Sequence, residues 1–137
     1  MDSACFLNDN NQIYLLTTNS IPKENENSDP IKIYDLKGNQ IKELNDSNLK
    51  TFFIDIYYDN KSSKNYIITG NVGYSMSYDY NKNKQYHKYY DDDKKGHWSI
   101  IIYEDQGIIK LIESSFDGNI RIWNFHSELL LSKINVN

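Results

Sequence analysis

Short apolar and aromatic runs, each broken by Asn, Asp, Gly or Lys, recur along the whole chain. Runs of this length fit pleated strands, and the residues between them suit tight turns. The pattern predicts strands at residues 4–7, 13–17, 31–34 and 41–44. It predicts four more at 52–57, 66–69, 74–78 and 85–90, and a last four at 98–103, 108–113, 119–123 and 129–134. The segments 8–11, 36–40, 70–73, 81–84, 104–107 and 115–118 read as turns, "GNVG" (70–73) as a tight hairpin. Residues 19–29 are polar, charged and broken by proline, so they read as a longer loop; 59–64 and 91–96 read as loops too. No segment holds a 3.6-residue period over a long window, which leaves an all-β chain.

The strands fall into three groups of four. Tyr34-Asp35, Tyr78-Asp79 and Trp123-Asn124 each end the third strand of a group, and the second members of these pairs lie 44 and 45 residues apart. Four strands per period of about 40–45 residues is the sequence sign of propeller blades. The expected architecture is therefore three four-stranded antiparallel blades, at about 1–47, 48–93 and 94–137, of an incomplete ring.

The third group resembles a WD40 repeat. It opens with Gly96-His97, in the place of that family's Gly-His pair, and ends its third strand with Trp123-Asn124, in the place of Trp-Asp. "SSFDGNIRIWN" (114–124) is similar to the family's turn and third strand. The resemblance implies a hydrogen-bonded tetrad within the blade, with His97, Asp117 and Trp123 in three of its roles. Its fourth position, ten residues before the tryptophan, holds Glu113 rather than Ser or Thr. The other two groups carry the period and the aromatic-Asp pair but not the tetrad. The resemblance implies binding surfaces on a rigid ring and neither catalysis nor a cofactor.

Composition narrows the function further. The net charge of −4 offers no broad basic field, which argues against a nucleic-acid partner. One cysteine, Cys5, excludes an internal disulfide and favours a reducing compartment. No apolar run approaches the roughly 18 residues that a membrane-spanning helix needs, and the default location is the cytoplasm. There is no His-x₃-His or Cys-x₂-Cys spacing for zinc, and His87 and His126 fall in different groups. Asp91, Asp92 and Asp93, with Glu104 and Asp105, could hold a hard cation, but a solvated loop explains them more simply. An active site in a central channel would need titratable groups on the innermost strands, where Asp55 is the only acid expected.

Tyr78, Tyr80, Tyr86, Tyr89 and Tyr90 are interleaved with Lys82, Lys84 and Lys88. Aromatic side chains anchor interfaces, so Tyr80, Lys82, Tyr86, Lys88 and Tyr90 are candidate partner contacts. Strand alternation also points about half of such tyrosines inward as packing. The expected function is a non-catalytic protein-interaction scaffold, with 19–29, 59–64 and 91–95 as candidate contact loops. Three blades leave a ring open, so self-association or a larger assembly is expected to complete it. The alternative is binding of an anionic lipid head group by the Lys/Tyr hairpin at 80–90.

Overall fold

The computed structural model describes residues 3–18, 31–44, 51–92 and 94–136. These form three four-stranded antiparallel sheets, each a simple meander. The first contains β1 (Ser3–Asp9), β2 (Gln12–Thr18), β3 (Ile31–Asp35) and β4 (Gln40–Leu44). The second contains β5 (Thr51–Asp59), β6 (Lys64–Asn71), β7 (Ser75–Asp79) and β8 (Lys84–Tyr89). The third contains β9 (His97–Asp105), β10 (Ile108–Ser115), β11 (Asn119–Asn124) and β12 (Leu130–Asn135). No helix occurs among the described residues. All twelve expected strands are present, nine of them longer by one to four residues and three of the expected length.

The sheets stack face to face in chain order, with β5 touching both β1 and β9. Alternation along each strand sends one set of side chains to each neighbour. Leu7, Leu16, Ile31, Ile33 and Leu44 meet Ile54, Ile67, Met76 and Tyr78 at the first joint. Tyr66, Ile68 and Tyr89 meet Ile100, Leu111, Trp123 and Phe125 at the second. Each fully buried Leu or Ile contributes roughly 1.5–3 kcal/mol, so these two apolar layers hold the stack together.

Turn chemistry explains the abundance of Asn. Asn10 and Asn11 form a two-residue hairpin with φ of 50° and 65°, the twist that suits paired strands. Gln106 and Gly107 repeat it between β9 and β10, at φ of 51° and 80°. Gly70 departs from expectation. It is the penultimate residue of β6 rather than part of a turn, and the chain reverses at 72–74. A Cβ on Gly70 would lie 2.4 Å from the His97 carbonyl oxygen. Glycine is there because the third sheet's backbone passes against it.

The connections alternate between two rims. On one, Lys61 of the β5–β6 turn reaches Glu104 at 3.3 Å, and Asn65 Nδ2 donates to the Asn8 carbonyl at 3.0 Å. On the other, the Gly73 amide donates to the Lys95 carbonyl at 2.7 Å and the Phe116 amide to that of Gly96 at 3.1 Å. The candidate loop at 19–29 lies outside the described residues, as does Asp93.

Candidate functional site

The apolar face of β10 alternates as Ile109, Leu111 and Glu113, which places a carboxylate where a third aliphatic residue would fit. Glu113 is fully buried, and three donors converge on it. The Trp123 indole N–H of β11 donates to Oε1 at 2.9 Å. The His97 Nδ1–H donates to Oε2 at 2.9 Å. The Ser75 hydroxyl of β7 donates to the same oxygen and stands 3.0 Å from His97 Nδ1. A buried carboxylate without such partners would cost several kcal/mol. Because Ser75 belongs to the second sheet, the network ties two sheets together.

This corrects the expected roles. His97 and Trp123 are linked, but through Glu113, at the position assigned to Ser or Thr. Asp117 is turned onto its own hairpin. Its carboxylate accepts from the Asn119 amide at 2.9 Å, Asn119 Nδ2 at 2.8 Å and Arg121 Nη2 at 2.5 Å. Arg121 is 1% exposed, and its Nε donates to Asp91 at 2.8 Å, as does Lys133 Nζ at 2.8 Å. A long cation filling this gap needs carboxylates on both sides. Burial alone raises the Asp117 carboxyl. The Arg121 and Asn119 hydrogen bonds outweigh it and hold the group well below the usual carboxylate range. Lys133 and Arg121 lower Asp91 in the same way.

The three aromatic-Asp/Asn pairs share one local structure. The Lys37 and Asn39 amides donate to Asp35 Oδ1, each at 2.9 Å. The Lys82 amide donates to Asp79 Oδ1 at 3.0 Å, and the His126 and Ser127 amides donate to Asn124 Oδ1, each at 3.1 Å. In each sheet the acceptor closes the last hairpin. A register shift falls immediately before each aromatic, at Ile33/Tyr34, Ser77/Tyr78 and Ile122/Trp123. The spacing of 44 and 45 residues therefore marks a repeated bulged and capped hairpin.

The Tyr/Lys hairpin is largely engaged by its neighbours. Tyr80 is half-buried on the first joint, with Lys42 Nζ 4.7 Å from its ring centre. Tyr86 packs on the second joint, and its hydroxyl lies 2.9 Å from His126 Nδ1. The exposed Lys88 lies 4.3 Å from the Tyr74 ring centre and 5.4 Å from that of Tyr90, and Lys82 and Tyr90 are themselves exposed. His87 joins β8 to the β11–β12 turn, with Nδ1 2.7 Å from Glu128 and Nε2 2.7 Å from the His126 carbonyl.

The acidic residues are dispersed. Asp91 faces Arg121 and Lys133, Glu104 faces Lys61, and Asp105 faces Lys110 at 2.6 Å. Among the described residues no three His, Cys, Asp or Glu side chains gather as a metal site would require. The first strand of each sheet extends further than expected, and these strands add Asp9, Asp59, Glu104 and Asp105 to Asp55. Asp59 is occupied with its own turn, accepting from the Lys61 amide at 3.0 Å and the Ser62 hydroxyl at 2.6 Å. Among the described residues no helix is long and apolar enough to cross a membrane.

No protein-family model matches the chain, and no curated protein matches it. A solved structure of the computationally designed Ika8 protein has a similar fold, with a TM-score of 0.66 at 11% sequence identity. The match covers 96% of this chain and 36% of that one, so this chain spans about a third of its length. At that identity the likeness shows the fold alone.

Proposed function

We propose that this chain is an arc of a WD40-type β-propeller that works as a non-catalytic interaction scaffold. The observation that carries the reading is the threefold repeat of a four-stranded meander. Each copy ends its third strand in the same bulged hairpin with an Asp or Asn cap, and each stacks on the next by its faces. The polar groups that could do chemistry are spent on joints and turns. What remains for partners is the two rims, where loops on a rigid stack carry contacts.

A photo-cross-linking residue placed at Lys61, Lys82 or Lys94 tests this in a cell extract. A discrete adduct from one rim, absent without irradiation, is the expected result. Absence of adducts from all rim positions counts against the scaffold. The lipid alternative rests on Lys82 and Lys88. Sedimentation with phosphatidylserine vesicles, abolished by the double change Lys82→Glu and Lys88→Glu, would replace the protein-partner reading.

A further inference from the structure

Each sheet has a leading face, toward the next sheet in chain order, and a trailing face, toward the previous one. Strand registers align these faces position by position. On the leading face, Leu16–Ile33 of the first sheet matches Ile68–Ser77 of the second and Ile112–Ile122 of the third. Leu44 and Tyr89 match Ile134. In the first two sheets every one of these residues is buried at a joint. In the third the same positions are all isoleucine and face no other described sheet: Ile134 is 46% exposed, and Ile101, which pairs with Ile112, is 59% exposed.

The trailing face shows the converse. Ile56–Ile67–Tyr78 of the second sheet and Ile102–Leu111–Trp123 of the third pack into the two joints. Phe6–Leu15–Tyr34 occupies the same row in the first sheet, with Phe6 68% exposed. A groove of about 570 Å³ lies on this face, lined by Leu15, Thr17, Lys32 and Tyr34. Among the described residues, the three sheets therefore present one unpaired leading face and one unpaired trailing face, the two halves of the joint they build twice.

We infer that the occupant of each face is a second copy of this chain. The third sheet of one copy docks on the first sheet of the other, and the second joint is made the same way in return. The inference rests on the propeller reading and deepens it. Two copies give six blades, within the roughly 4–8 that close a ring, whereas three would give nine. Contacts of this leading-on-trailing type close a ring when the rotation fits.

The test is the molar mass of the 137-residue chain by size-exclusion chromatography with light scattering over a dilution series. The expected mass is twice 16.2 kDa, falling to one chain on dilution. Ile101→Glu and Phe6→Glu, both at exposed positions, should each give a single-chain mass with the β-sheet circular dichroism spectrum retained. A mixture of the two variants keeps one unaltered joint, so a one-to-one pair should re-form that neither variant makes alone. A single-chain mass at every concentration overturns the inference. So does a mass that climbs past two copies, which means an open filament, or a mixture that fails to pair. A single-chain mass together with rim adducts in the cross-linking experiment removes the ring and leaves the scaffold. A two-chain mass without adducts does the reverse.

Discussion

Glu113 is the residue on which most of the buried polar chemistry depends. Replacing it with Ala removes the acceptor for Trp123, His97 and Ser75 together. Removing one member of a buried polar set costs about 3–5 kcal/mol, and Glu113→Ala should lose that much in urea unfolding. Asp117 gives a pH signature. Its folded pKa is depressed, so its contribution is complete above the unfolded value of about 4 and is lost as pH falls through the folded value. Acid titration followed by circular dichroism should show a shallower loss of stability below about pH 4 in Asp117→Asn, and lower stability at neutral pH. Cys5 makes a third case. Burial, with some help from Asp55, pushes its thiol up to about 12. The thiolate is the reactive form, so iodoacetamide at pH 8 should label the folded chain far more slowly than the urea-unfolded chain.

At the scale of elements, the joints limit what each strand can carry. Gly70→Ala sets a methyl group against the His97 carbonyl, and overpacking of this kind costs about 1–3 kcal/mol. The loss should appear as a lower melting temperature with an unchanged sheet signal. The strands themselves were legible, because apolar alternation and Asn-rich turns are local signals. Two features were not. Gly70 read as a turn because glycine in sequence does not reveal that another backbone lies against it. The carboxylate partner of His97 read as Asp117 because the motif places an acid in that turn. The alternation of Ile109, Leu111 and Glu113 was the available signal that Glu113 faces inward. Ser75 could not be found, since its contacts with His97 and Glu113 span 22 and 38 residues and arise only when two sheets meet. The tyrosines divide similarly. Tyr86 sits opposite the register shift before Tyr78, which aims it at the third sheet and away from solvent.

For the whole molecule, the second of the three described sheets is the one covered on both faces by described residues. In stacked repeats each unit is stabilised mainly by its neighbours. Hydrogen exchange on the Phe6→Glu chain should therefore find the slowest amides in β6 and β7, around Ile67, Ile68 and Met76. β1 and β12 should exchange fastest. Equal protection across all three sheets would mean that the end faces are covered by something other than the proposed second copy.

The two joints also differ in kind. Between the first and second sheets the described contacts are almost wholly apolar, with Asn65 to Asn8 at the rim as a polar exception. Between the second and third they include Ser75 to Glu113, Tyr89 to the Phe125 carbonyl, His87 to Glu128 and Arg121 to Asp91. Apolar contact is non-directional, while hydrogen bonds fix orientation. In mechanical terms the first joint is greased and the second is keyed. A chain pulled by its two ends in an optical trap should let its first sheet slide and peel at low force, then hold as one brittle block until the second joint shears abruptly.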